Sequence, residues 1–178
     1  MNINNQFRLD GKVAVVTGGG RGIGRGIALA FAECGADVAV IARRQEDLDR
    51  VVEEIESKGQ NGLAIPADVM DFNSIPKALD KVCKEMGHLD IMVNNAGGNL
   101  DRKMYSLPEI SIEKFDEQLT LNMKTKWWGS QQAAKRMIEG GRIINIISVA
   151  AHRASPGFGV YSAANLGMIS MTRTFAVE

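Results

Sequence analysis

The sequence predicts an α/β fold: a doubly wound parallel sheet in a single domain spanning residues 1–178. Three observations predict it. Short β-branched apolar runs alternate along the chain with stretches whose apolar residues fall at helical spacing. The runs are apolar at successive positions, as strands covered on both faces are. A glycine cluster follows the first run directly, at the junction of strand and helix.

Residues 12–17 (KVAVVT) form the first strand, and after the glycines Ile23, Ile27, Ala30, Phe31 and Cys34 mark a helix. Gly35 stops it, and residues 37–42 (DVAVIA) read as the second strand. Leu48, Val51, Val52 and Ile55 line one face of the next helix, with Glu46 and Asp47 near its positive N-terminus. Residues 63–65 are the third strand, and Ile75, Leu79, Val82, Cys83 and Met86 repeat the helical spacing. Residues 89–93 are the fourth. Ser111 begins a long helix running to about residue 138, Gly140 and Gly141 end it, and residues 142–148 form the fifth strand. A Ser155-Pro156-Gly157 loop leads into a last helix from near Val160 to the C-terminus.

The chain has 45% hydrophobic and 24% charged residues, a balance that excludes disordered, collagen-like and membrane classes. Lysine plus arginine equals aspartate plus glutamate at 21 each, so no global field draws the protein to nucleic acid or a lipid surface. Cys34 and Cys83 lie on apolar helical stripes and read as structural thiols, with no metal expected. The chain opens without a basic, then apolar leader, and no apolar run reaches the ~18 residues of a spanning helix. A cytoplasmic protein is expected.

Thr17-Gly18-Gly19-Gly20-Arg21-Gly22-Ile23-Gly24 sits where backbone N–H groups and a helix dipole can hold a pyrophosphate. Its glycines follow T-G-x-x-x-G-x-G, neither G-x-G-x-x-G nor the P-loop pattern, where Arg25 stands in place of lysine. With Asp68-Val69 after the third strand and Asn94-Asn95-Ala96-Gly97 after the fourth, the chain resembles the short-chain dehydrogenase/reductase family from Leu9 to Glu178. The resemblance implies a Rossmann-like sheet in the order 3-2-1-4-5. It also implies nicotinamide-cofactor contacts at Thr17, Gly18, Arg21, Gly22, Ile23, Gly24, Asp68, Val69, Asn95, Ala96 and Gly97.

Enzymes that take NAD usually carry an acid about 20 residues past the glycine loop, for the ribose hydroxyls. Here the chain has Ala42-Arg43-Arg44, whose guanidinium groups suit a 2′-phosphate, with Arg21 able to close on it. NADP(H) is therefore expected over NAD(H). Carbonyl reduction needs a proton donor beside the nicotinamide. By resemblance Tyr161 is that donor, Ser148 holds the substrate oxygen and Asn122 orders a water relay. The chain departs from the family at Asn165, which stands where Y-x-x-x-K has lysine, one helical turn after Tyr161. A neutral amide leaves Tyr161 near its reference pKa of about 10. An impaired enzyme is the expectation, and Arg153, His152 and Lys124 have no positional support as replacements.

His88 reads as a solvated turn residue, and Trp127 and Trp128 as packing or subunit contact. The family fold continues into a sixth and a seventh strand that this sequence does not contain, which leaves residues 143–147 as an expected apolar edge. The helices at about 111–138 and 160–178 resemble the pair through which family members form homodimers and homotetramers. Three functions compete: an NADP(H)-dependent carbonyl/alcohol oxidoreductase, 3-oxoacyl reductase-like or related; an inactive protein holding NADP(H) or a family partner; and a non-redox protein such as a methyltransferase, which leaves Ser148 and Tyr161 unexplained.

Overall fold

A computed structural model describes residues 7–99, 104–137 and 139–178. Five strands, β1 (Val13–Thr17), β2 (Asp37–Ala42), β3 (Gly62–Pro66), β4 (Ile91–Asn94) and β5 (Arg142–Asn145), form one sheet in the order β3-β2-β1-β4-β5. Every pairing is parallel. The order reverses at β1, between β2 and β4, and a crevice opens there beyond the carboxyl ends of the strands.

Side chains alternate across a strand, so a run that is apolar throughout supplies both faces. Val13 and Val15 of β1 face one core with Ala39, Ile41 and Met92, against α3 (Ser74–Met86) and Ala133 of α5 (Thr125–Ala134). Ala14 and Val16 face the other with Val38, Val40 and Val93, against α1 (Gly22–Glu33) and α2 (Gln45–Glu56). The last helix, α6 (Gly159–Phe175), packs beside α5 and α4 (Ile112–Leu119), and Asn145 Nδ2 donates to Thr172 Oγ1 at 3.0 Å. Among the described residues no helix is long and apolar enough to cross a membrane.

Two elements differ from the sequence reading. The fifth strand stops at Asn145 rather than residue 148 because its partner leaves: β4 ends at Asn94, and Asn95 turns its N–H to Val93 O at 3.1 Å and Thr17 Oγ1 at 3.0 Å. The long helix is broken by a π-turn at Thr120–Lys124, where the Thr125 N–H reaches Thr120 O. Its start agrees, with Ser111 Oγ accepting from the Lys114 N–H at 3.3 Å, whereas α5 ends at Ala134 and residue 138 lies outside the described residues. π-Turns within α-helices gather at functional sites, and this one contains Asn122.

Candidate functional site

The carboxyl ends of the strands bound a cleft of about 980 Å³. The glycine loop, Arg43, Arg44 and Asp47 line one end; Asp68 and Val69 follow; Asn95 to Asn99, Lys126, Ile146, Ile147, Ser148 and Tyr161 complete the far side. Chain segments distant in sequence thus converge where the strand order predicts a ligand.

Two glycines carry the shape of the near end. A Cβ at Gly24 would lie 2.2 Å from Gly18 O, so the first turn of α1 can press on the loop only without a side chain. Gly22 has φ of 55°, in the left-handed region, and a Cβ there would meet nothing within 4 Å. The loop therefore presents bare backbone at a helix N-terminus, a site for a diphosphate. Ile23 also borders the cleft and is exposed.

Thr17 and Asn122 stand behind this wall rather than in it. Thr17 Oγ1 accepts from Asn95 N at 3.0 Å and Ala96 N at 3.1 Å, and donates to Val93 O at 3.3 Å. Asn95 Nδ2 returns to Thr17 O at 2.9 Å, which locks the turn after β4 to the turn after β1. Asn94 Nδ2 bridges to Ser130 Oγ and Asn145 Oδ1 at 3.0 and 2.9 Å, tying β4 to α5 and β5. Asn122 is fully buried, and its amide accepts from Gly98 N at 2.8 Å and donates to Gly98 O at 3.0 Å.

Of the arginines expected at a 2′-phosphate, Arg44 is ion-paired with Asp47 at 2.6 Å. Arg21 and Arg43 are exposed at the cleft and carry no ion pair among the described residues. Asp68 lines the cleft while its Oδ1 accepts from Met70 N at 2.9 Å, in an Asx-turn that holds it after β3.

Ser148 and Tyr161 share the far wall. Tyr161 packs edge-on against Phe158 with centroids 6.1 Å apart. Asn165 does not reach the cleft: it is fully buried, its Oδ1 accepts from Ser148 N at 3.1 Å, and its Nδ2 donates to Tyr161 O at 2.8 Å. The amide thus pins Ser148 to α6 through the backbone.

The cation that sequence reading missed is Lys126. It is 4% exposed, lines the cleft, and donates from Nζ to Ile146 O at 2.7 Å. Burial pushes its pKa down to about 8. Spacing held the signal, since Lys126 follows Asn122 by one helical turn. Its burial was hidden because Gly97, in the turn after β4, makes the room: a Cβ there would fall 3.2 Å from Lys126 Nζ.

A first prediction follows for stability. The depression from the usual lysine value near 10.4 corresponds to roughly 3 kcal/mol against keeping the charge, offset by about 1 kcal/mol for the bond to Ile146. Lys126→Met is therefore expected to stabilise the chain by about 2 kcal/mol at pH 7. Between pH 8 and about 10.4 the folded chain has lost a proton that the unfolded chain keeps, so wild-type stability rises and the gap closes. Melting curves of both proteins from pH 7 to 10 check this, and a gap that stays constant with pH would contradict it.

Other candidates lie away from the cleft. His88 is not a free turn residue: its Nε2 faces the Asp90 carboxylate at 2.8 Å, beside Lys12, at the amino ends of the strands. Lys124 Nζ sits 4.8 Å over the Phe72 ring. Trp128 donates to Phe72 O at 2.9 Å and packs against the core, as expected of a packing residue. Cys34 and Cys83 are unbridged and half-buried. His152 and Arg153 are exposed and do not line the cleft.

A family model described as short chain dehydrogenase matches residues 12–178. The chain is 38% identical over 179 residues to 2-dehydro-3-deoxy-D-gluconate 5-dehydrogenase of Escherichia coli, covering 99% of this chain and 69% of that protein. It is 35% identical over 180 residues to a versicolorin reductase of Emericella nidulans, covering 100% of this chain and 67% of the relative. A short chain dehydrogenase from Burkholderia cenocepacia, solved in complex with NADP, superposes with a TM-score of 0.89 at 39% identity, over 95% of this chain and 69% of that one. Carveol dehydrogenase from Mycobacterium avium, in complex with NAD, gives 0.90 at 30% identity, over 96% and 66%.

Proposed function

The chain belongs to the short-chain dehydrogenase/reductase family, and from that premise we propose that it is an NADP(H)-dependent oxidoreductase interconverting a carbonyl and an alcohol in this cleft. The observation that carries the reading is that one cleft joins an anion-holding glycine loop to a wall bearing Ser148 and Tyr161. When bound, the reduced cofactor supplies hydride to the carbonyl carbon.

The chain's own groups do the rest. The glycine loop and the α1 N-terminus hold the diphosphate, Gly18, Gly22, Ile23 and Gly24 giving close approach. Arg21 and Arg43 take the 2′-phosphate, while Asp68 and Val69 border the adenine. Asn95, Ala96 and Gly97, braced by Thr17 and Asn122, seat the nicotinamide half. Ser148 Oγ donates a hydrogen bond to the substrate oxygen, and Tyr161 transfers its hydroxyl proton to that oxygen as the alcohol forms. Oxidation of the alcohol runs the same steps in reverse.

Substrates are ketones, with 3-oxoacyl thioesters and the 2-dehydro-3-deoxy-D-gluconate of the Escherichia coli relative as the first to assay. Self-association through α4, α5 and α6 is part of the proposal. Ile112 and Leu166 are exposed on those helices, and light scattering is the check. The neutral, inward-turned Asn165 favours a second reading, a protein that holds NADP(H) without turnover. NADPH fluorescence on mixing reports binding under both readings, and oxidation of NADPH with a carbonyl panel occurs only under the first.

Cofactor choice is a separate expected result. NADPH should bind more tightly than NADH, and Arg43→Ala should raise the NADPH Kd about tenfold, or about 1.4 kcal/mol, while leaving the NADH Kd within about twofold. Titration of both nucleotides against both proteins decides it. Equal losses for the two would place Arg43 outside the phosphate site.

A further inference from the structure

Lys126 is a buried ammonium with no counter-charge among the described residues. Among the described residues it has one acceptor, Ile146 O, and no carboxylate, so two of its three protons are left for other partners. Taking such a charge out of water is costly unless something polar meets it, and a cleft that keeps one is arranged for a ligand that supplies acceptors. Topology says which part of the ligand. Arg21, Arg43, Arg44 and Asp47 gather where β1 and β2 end and Asp68 follows β3, while among the described residues Lys126 and Tyr161 are the ionisable groups that line the β4–β5 side. Lys124, on the same helix, is turned to Phe72. Asn165 is neutral and spends both ends of its amide inside the protein.

We propose that Lys126 is the positioning cation of this site: its ammonium hydrogen-bonds the nicotinamide ribose hydroxyls of the bound cofactor. The charge that the family places at the position of Asn165 has moved to α5, and Asn165 keeps only the task of anchoring Ser148. The inference rests on the cofactor reading of the cleft.

The test uses the full chain with NADPH. Below pH 8 Lys126 is charged in the free protein, and a ligand that bonds the ammonium raises its pKa. Wild-type affinity should therefore be level up to about pH 8 and fall as the pH rises beyond it. Lys126→Met should weaken NADPH about tenfold at pH 7 and abolish that pH dependence. A lysine that merely held Ile146 would give none of these shifts. In wild type, the 13Cε signal of Lys126 should titrate at higher pH with NADPH than without, a measurement that needs no altered protein to fold. Identical titration with and without bound NADPH, or unchanged affinity and pH profiles in Lys126→Met, would overturn the inference and leave the cofactor reading standing. Failure of wild type to bind NADPH at all would overturn both.

Discussion

Tyr161→Phe is expected to lower NADPH-dependent ketone reduction by about 10²- to 10⁴-fold, the range for losing a positioned acid, while the NADPH Kd stays within about twofold. The asymmetry follows from what the ring does. Its packing against Phe158, at 6.1 Å between centroids, is kept by phenylalanine, so the cleft wall stays in place. Only the hydroxyl is lost; His152 and Arg153 do not line the cleft, and the Lys126 ammonium, the other ionisable group on that side among the described residues, is bonded to Ile146 O. Ser148 can hold the substrate oxygen, but its aliphatic hydroxyl is a far weaker acid than a phenol. Rates at saturating NADPH, with calorimetric Kd values alongside, make the comparison. A loss of less than about tenfold would mean that another group delivers the proton.

The second large effect is at Gly24. A single methyl there would sit 2.2 Å from Gly18 O, a backbone atom that cannot swing aside as a side chain can. The same Cβ would also lie 2.5 Å from Asn95 Nδ2, whose bond to Thr17 O locks the loop to the turn after β4. Gly24→Ala is therefore expected to cost about 1–3 kcal/mol of stability, the usual range for overpacking, and to weaken NADPH binding by more than about tenfold, because the displaced loop is the surface that meets the diphosphate. Gly26, where a Cβ would meet nothing within 4 Å, is the control: Gly26→Ala should leave both quantities unchanged or slightly improved. Equal effects at the two positions would show that loop packing does not govern binding.

Much of this architecture was legible in the residues. Runs such as VAVVT and DVAVIA can only be strands covered on both faces, and the two hydrophobic cores divide their side chains by parity as that requires. The strand order came from resemblance and agrees with the sheet. What was not legible depends on contacts between distant segments. The fifth strand is apolar enough to continue, and stops because β4 turns away at Asn95. The π-turn at Thr120–Lys124 leaves no mark on helical periodicity, because Asn122 earns its place by bonding to Gly98, 24 residues earlier. Asn165 was read as an uncharged residue in the cleft, whereas its amide is consumed by Ser148 N and Tyr161 O. Lys126, a charged residue in a helical stretch, drew no reading from the sequence, yet Gly97 opens a berth for it inside.

The central claim is that this cleft carries hydride from NADPH to a ketone with Tyr161 as the proton donor. Transfer of deuterium from C4-deuterated NADPH into the product alcohol, read by mass spectrometry in the full chain and in Tyr161→Phe, tests it most directly. The account predicts one deuterium on the carbinol carbon with the wild-type chain and almost none with Tyr161→Phe. Bound NADPH with no deuterium in any alcohol of the panel, or transfer that is indifferent to Tyr161, would contradict it.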